Sequence, residues 1–367
     1  MLFLLILCAG SAFLATAYLV RYARDHAQSY SAEVPQRFHV GHVPRLGGAA
    51  MLLGCTVGWL WMVASDWLNV PNQIRMDEWV GLSLWVVTLL PVAGGVFEDL
   101  TQRLPARWRL LLTVASAAMA VYALQLTVPR LGLPWIDGFW REYAWLGLGL
   151  AVLGITGLPH AFNLIDGYNG LAGIVAIICC FALAYVALQV GDRQLAAIVL
   201  TLAGATAGFL VWNYPRGLIF AGDGGAYLWG TVISIASVLL VLRHPLVSPW
   251  FPMLLLIYPV QETIFSIYRK AARGQSPGVA DALHFHQLVF RRIVRGVFHD
   301  DEARRMLMRN NRTSPYLWSF SVLTVTPAVL FWSNTPMLIA FIVIFIVTYL
   351  WAYFSIVRFK LQRWFRR

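Results

Sequence analysis

The chain reads as an all-α polytopic membrane protein of about eleven transmembrane helices, its N-terminus periplasmic and its C-terminus cytoplasmic. Three observations carry this. Of 367 residues, 59% are hydrophobic and only 12% charged, with a mean hydropathy of +0.66, whereas soluble domains are roughly a quarter charged. The apolar residues gather in runs close to the ~20 residues that cross a bilayer as a helix. Finally, 23 of the 28 Lys and Arg fall in alternate connecting segments, as the positive-inside rule requires. Disorder is excluded, because so apolar a chain cannot stay expanded in water.

Apolar spans are expected near 1–20, 46–64, 79–97, 110–128, 144–158, 170–190, 195–212, 225–242, 247–267, 316–333 and 336–357. The first has no Lys or Arg before it and Arg21 and Arg24 after it, so it reads as an uncleaved anchor with its N-terminus outside. The fifth is short. Trp and Tyr cluster near many span ends, as an aromatic belt would place them. Cys8, Cys55, Cys179 and Cys180 all lie inside apolar runs and read as small core residues, not as a disulfide or metal framework.

With eleven spans the inner segments are 21–45, 98–109, 159–169, 213–224, 268–315 and the tail from 358. The outer loops keep only Arg75, Arg130, Arg141, Arg193 and Arg243. The net charge of +11 is therefore topology plus attraction to anionic headgroups, and nucleic acid is not expected as a partner. No repeat, heptad or low-complexity segment divides the chain, so residues 1–367 are read as one integral-membrane domain. Within it, 268–315 is expected to be a long cytoplasmic loop, too long for a mere connector.

Polar residues of catalytic type collect on the inner side. Glu98 and Asp99 end the third span. Asp166 lies in the stretch His160-Ala161-Phe162-Asn163-Leu164-Ile165-Asp166-Gly167-Tyr168-Asn169-Gly170, and Asp223 in Phe220-Ala221-Gly222-Asp223-Gly224-Gly225. A carboxylate at membrane depth is costly and usually functional or paired. On a continuous helix, His160, Asn163, Asp166 and Gly170 would form one polar stripe. Glu98 and Asp99, adjacent on a helix, cannot face one point, so one is expected to serve a ligand while a neighbour holds the other. Hard carboxylate and amide oxygens suit Mg²⁺, which accepts phosphate oxygens as further ligands. No Cys/His spacing resembles a zinc site. Arg103, Arg107 and Arg109 follow the acidic pair, and an arginine at headgroup level suits a lipid-borne phosphate. Segment 268–315 adds Asp281, His284, His286, Arg291 and Arg292, and the two histidines would share a face only on extended backbone.

In this order these residues resemble the polyprenyl-phosphate N-acetylhexosamine-1-phosphate transferase family, over nearly the whole chain. Pro44-Arg45-Leu46-Gly47-Gly48 looks like its first cytoplasmic motif, and Glu98-Asp99 stands where the family has an Asp pair. Asn163-Leu164-Ile165-Asp166-Gly167 matches its Asn-x-x-Asp-Gly core. Asn213, Pro215 and the Phe220–Gly225 stretch match the next motif, and His284-Phe285-His286-Gln287 its histidine motif. Departures are Glu98 for Asp, His160 and Asn169 at positions that vary between branches, and Gln287 for a third His.

The resemblance implies transfer of a sugar 1-phosphate from a UDP-sugar to undecaprenyl phosphate in a bacterial inner membrane, with release of UMP and the active site facing the cytoplasm. It makes Asn163 and Asp223 ligands of Mg²⁺, with Mn²⁺ a substitute, and gives Glu98, Asp99 and Asp166 catalytic roles. Arg109 would hold the lipid phosphate. Arg45, Asn169, Gly170, Phe220, Asp281, His284, His286 and Arg291 would hold the nucleotide sugar, and a homodimer is compatible with the family. Two alternatives stand beside it. One is the sister phospho-N-acetylmuramoyl-pentapeptide transferase of peptidoglycan synthesis; the other is a secondary transporter of an anionic solute, although transporters place their charges at the midplane and these lie at one face.

Overall fold

The computed structural model describes residues 1–23, 42–71, 73–274, 283–294, 296–297 and 299–358. All its elements are helices: α1 (Leu2–Tyr22), α2 (Gly47–Trp67), α3 (Glu78–Thr101), α4 (Ala106–Ala123), α5 (Pro134–Glu142), α6 (Ala144–Ile165) and α7 (Leu171–Gln189). They continue as α8 (Arg193–Asn213), α9 (Gly222–Arg243), α10 (Trp250–Leu255), α11 (Ile257–Ala271), α12 (Phe285–Leu288), α13 (Glu302–Leu330) and α14 (Thr335–Val357). This is what an apolar solvent demands, since a helix satisfies its backbone groups within its own segment.

Each expected span is helical, but the spans are not equal. Among the described residues eight helices, α1, α2, α3, α6, α7, α8, α9 and α14, are long and apolar enough to cross a membrane. α4 has 18 residues and carries arginines in its first turn. The run 247–267 is divided at Leu256 into α10 and α11, where Pro259 brings no backbone N–H to the first turn of α11.

α9 is the hub, buried along almost its whole length, with α2, α3, α6, α7 and α8 packed around it. α1 lies between α2 and α8. Close approach rests on a few glycines. A Cβ on Gly230 of α9 would fall on the backbone of Leu158 and Pro159 in α6, whereas one on Gly149 would meet nothing within 4 Å. Gly230→Ala should therefore overpack the α6–α9 crossing and cost about 1–3 kcal/mol, seen as a lowered thermal midpoint in detergent. Gly149→Ala is the matched control, and its midpoint should not fall.

Two expectations need correction. Segment 268–315 is not a loop throughout: α11 runs into it to Ala271, α12 passes into a π-helical turn over Val289–Ile293, and α13 starts at Glu302. Asp301 caps α13 by accepting from the backbone N of Ala303 at 2.8 Å, and Glu302 sits in the first turn, where an acidic residue suits the helix dipole. The stripe from His160 to Gly170 is also interrupted. α6 ends at Ile165, Asp166 is its C-cap with ψ 58°, and Gly170 takes φ +70° as the cap of α7. That left-handed conformation, cheap only for glycine, turns the chain into a new helix.

Candidate active site

The motifs meet at one end of the bundle through backbone pairing. Phe220 N donates to Pro44 O, Gly47 N to Phe220 O, and Gly48 N to Ala221 O, each at 2.9 Å. Gly222 takes φ +71°, and a Cβ there would collide with the Arg45 carbonyl and the Asp99 carboxylate. Only glycine fits this turn. Asp99, 4% exposed, accepts from the backbone N of Asp223 and of Gly224, both at 3.0 Å. It thus satisfies the free N–H groups that open α9. Glu98 points elsewhere and accepts from Leu104 N at 2.6 Å. Both members of the acidic pair are held by backbone, where one free carboxylate was expected.

Asp223 is the meeting point of the predicted residues. Its Oδ1 accepts from Asn163 Nδ2 at 2.6 Å, and its Oδ2 is paired with the Arg109 guanidinium. The side chains keep 18% (Asp223) and 24% (Arg109) of their exposure, so the pair is reachable from outside. His160 lies one turn below Asn163, with Nε2 3.0 Å from Thr113 Oγ1 and its ring edge-on to Tyr227. At the end of α6, burial and then the neighbouring Asp223 raise the Asp166 carboxyl to about 7, against an opposing pull from Arg45. Arg103 and Arg107 are exposed and outside this cluster.

The donor chemistry suits a hard divalent cation. Asp223 offers carboxylate oxygens and Asn163 an amide oxygen, which a rotation of the Asn163 amide brings toward the carboxylate; oxygen and nitrogen in such a group exchange places by that rotation. Among the described residues no group of three or more His, Cys, Asp or Glu side chains could hold a metal by itself. Two protein oxygens completed by waters and phosphate oxygens is an arrangement Mg²⁺ accepts.

A second cluster joins it at the 166–170 turn. His286 lies against Gly167, where a Cβ would sit 3.0 Å from its Nε2. Its ring meets Tyr168 edge-on and stacks on His284 at 5.3 Å and 6°. The two rings share a face, but not on the extended backbone expected: His284 is extended (ψ 146°) as the cap, and Phe285 and His286 are already helical. Burial and the charge of His284 push His286 down to about 3, so it is neutral at pH 7. Its Nδ1 is buried without a partner among the described residues, as a group kept for a ligand would be. Gly170 N donates to Asn213 Oδ1 at 2.7 Å. Asn169, 2% exposed, is tied to α13. Arg291 is exposed, and Phe220 is half-buried. Arg292 donates to the carbonyls of Ile356 and Val357 at the end of α14. Asp281 lies outside the described residues.

Sequence reasoning missed Glu262 of α11, fully buried at 0% exposure. Its Oε1 accepts from Phe285 N at 2.9 Å and lies 3.3 Å from His284 Nδ1, and its Oε2 accepts from the Tyr349 hydroxyl at 2.6 Å. The clue was in the sequence: a carboxylate inside the apolar run 247–267 is functional or paired by default.

A family model described as glycosyl transferase family 4 matches residues 81–241, from α3 to α9. A probable undecaprenyl-phosphate N-acetylglucosaminyl 1-phosphate transferase of Bacillus subtilis is 30% identical over 252 residues, covering 68% of this chain and 66% of the relative. A decaprenyl-phosphate N-acetylglucosaminephosphotransferase of Mycolicibacterium smegmatis is 27% identical over 282 residues, 68% of this chain and 65% of its own. A phospho-N-acetylmuramoyl-pentapeptide-transferase of Bartonella quintana is 28% identical over 229 residues, 58% and 63% respectively. The chain thus spans a little under two-thirds of the length of each of these relatives.

Proposed function

The chain belongs to glycosyl transferase family 4, and from that premise we propose that it transfers a sugar 1-phosphate, by default N-acetylhexosamine 1-phosphate, from a UDP-sugar to undecaprenyl phosphate. UMP leaves, and the lipid-linked sugar starts a cell-surface glycan. The observation that carries this reading is the convergence of Asn163, Asp223 and Arg109 beside the Asp99-anchored start of α9. The names of the B. subtilis and M. smegmatis relatives support the acceptor class. On this reading the eleven spans all cross a bacterial inner membrane, with the site on the cytoplasmic side.

Both reactants are anions, so catalysis is mostly positioning and charge stabilisation. A lipid phosphate oxygen attacks the β-phosphorus of the UDP-sugar, a new P–O bond forms, and the bond to the UMP oxygen breaks. Asn163 and Asp223 would hold Mg²⁺, which would supply positive charge to the phosphates, with Mn²⁺ a substitute. On this reading Arg109 receives the lipid phosphate, while His284, His286, Arg45 and Arg291 hold the donor together with Asn169, Gly170 and Phe220. A phosphate monoester has its second pKa near ~6, so the acceptor reaches the site already ionised and needs no strong base. Glu98 and Asp99 then orient, which agrees with both carboxylates being engaged by backbone N–H groups.

The test is purified protein in detergent with undecaprenyl phosphate, Mg²⁺ and a panel of UDP-N-acetylhexosamines, reading UMP and the lipid product. UMP that depends on both lipid and Mg²⁺ is the expected result, and the panel names the sugar. A product formed only from UDP-N-acetylmuramoyl-pentapeptide would move the chain to the sister branch, and solute uptake without lipid product would move it to a transporter. Arg109→Ala should raise the apparent KM for the lipid about tenfold, the scale of one charge-assisted contact, and that for the donor less. Equal rises would remove Arg109 from the lipid phosphate.

A further inference from the structure

α13 approaches the site with five hydrogen-bonding side chains that reach three different segments. Arg309 Nε donates to Val294 O and its Nη2 to Phe290 O, both at 3.0 Å, with the guanidinium 4.2 Å above the Phe290 ring. Asn310 Oδ1 accepts from Asn169 N at 2.8 Å. Asn311 makes two bonds: its Oδ1 accepts from Asn169 Nδ2 at 3.0 Å, and its Nδ2 donates to Pro215 O at 2.6 Å. Ser314 Oγ donates to Asn169 O at 2.7 Å, and Trp318 Nε1 to Gly170 O at 3.3 Å.

The helix explains the division of labour. Residues 310, 314 and 318 are spaced by four and form one stripe along the 166–170 turn. Residues 309 and 311 project to either side of that stripe, one to the histidine segment and the other to the segment that opens α9. From below, Asn213 completes the tie, accepting from Gly170 N and donating to Ile219 O at 2.8 Å.

We propose that Arg309, Asn310, Asn311 and Ser314 form a staple that locks the histidine segment, the 166–170 turn and the 214–221 segment into one arrangement, and so sets the affinity for the nucleotide end of the donor. The proposal rests on the reading that Asn169, Gly170 and His286 face the nucleotide sugar. Its force lies in Asn169. The backbone N, backbone O and side-chain Nδ2 of this buried residue are all committed to α13. Its Oδ1 is buried with no hydrogen-bond partner among the described residues. The direction of that one remaining acceptor is decided by α13. The four residues touch no reacting atom, so they are positioning residues. Hydrogen bonds among buried groups in such a network are costly to leave half-made.

The experiment compares Asn311→Leu, Asn311→Asp, Ser314→Ala and Ser314→Thr with the wild type, all in the full chain. Three quantities are read: the apparent KM for the UDP-sugar, the apparent KM for the lipid, and amide hydrogen exchange in peptides covering 166–171 and 214–221. Asn311→Leu should raise the donor KM roughly five- to tenfold, leave the lipid KM within about twofold, and speed exchange in both peptides but not in α1 or α8. Asn311→Asp keeps the acceptor for Asn169 and loses the donor to Pro215, so its rise should be smaller and its exchange change confined to 214–221. Ser314→Ala should also raise the donor KM, and Ser314→Thr, which keeps a hydroxyl, should restore it. An unchanged donor KM in Asn311→Leu, or equal rises in both KM values, would overturn the proposal. Lack of UMP from any donor in the wild type would overturn the functional reading and the donor-affinity part together, while exchange still decides whether α13 staples the segments.

Discussion

Asp223→Ala should abolish UMP release at every Mg²⁺ concentration, a loss of roughly a thousandfold or more, the scale of removing a group that stabilises charge in the transition state. The expectation follows from what Asp223 joins. It accepts from Asn163, pairs with Arg109 and stands in the first turn of α9. If Asn163 and Asp223 hold Mg²⁺ as proposed, loss of the carboxylate leaves Asn163 as the one protein ligand of that pair, and Arg109 loses the anion it pairs with. The fold should survive, because Asp99 grips the backbone N–H of residue 223 and not its side chain. Asp223→Asn separates charge from shape: it keeps an amide oxygen and loses the negative charge. If charge matters, its activity stays close to that of the alanine variant and extra Mg²⁺ recovers little. Near-normal turnover in either variant, with a monodisperse protein, would take Asp223 out of the metal site.

The apolar runs were legible because the bilayer makes hydropathy the dominant signal, and each of the eleven is helical. Helix breaks were less legible. Gly167 and Gly170 mark the turn after Ile165, yet a stripe from His160 to Gly170 reads equally well as one helix until Gly170 is seen at φ +70°. The start of α13 was also hidden. Asp301-Glu302 is a sound cap, but the charged run around it outweighs helical periodicity in a hydropathy profile. For the site, the family resemblance pointed to Asn163, Asp223 and Arg109, and the structure brings the three side chains into contact. What they could not convey is which partner each side chain takes. The resemblance gives Asp99 a catalytic role, and what the sequence did not announce is that its carboxylate also anchors α9 through the backbone N–H groups of residues 223 and 224. Asn310 and Asn311 lie more than 140 positions from Asn169, and no local pattern announces that contact.

Glu262→Leu should release the histidine segment. Three groups, His284 Nδ1, Phe285 N and the Tyr349 hydroxyl, converge on one carboxylate with no solvent access. Leucine fills much of the volume but accepts nothing, and each buried polar group left unpaired costs about 1–3 kcal/mol. The summed penalty of about 3–5 kcal/mol, typical of breaking a buried charged contact, exceeds what α12 and its short π-helical turn supply from local hydrogen bonds. Local opening is therefore expected before global unfolding. Hydrogen exchange should quicken over 283–290 while α9 stays protected, and UMP release should fall with it, because His286 loses its place against Gly167. A graded series makes the argument sharp. Tyr349→Phe removes one bond and should cost about 1 kcal/mol. Glu262→Gln keeps an acceptor for Phe285 N and loses the charge, so it should fall between Tyr349→Phe and Glu262→Leu. Thermal midpoint, exchange and turnover should follow that order together. Wild-type exchange over 283–290 in Glu262→Leu would mean that aromatic packing of Phe285 against Phe320 and Tyr349 holds the segment, and that the carboxylate is incidental to it. The ordering expected here follows from the physics of burial: aromatic contacts tolerate small shifts, whereas a buried N–H and hydroxyl left unpaired do not.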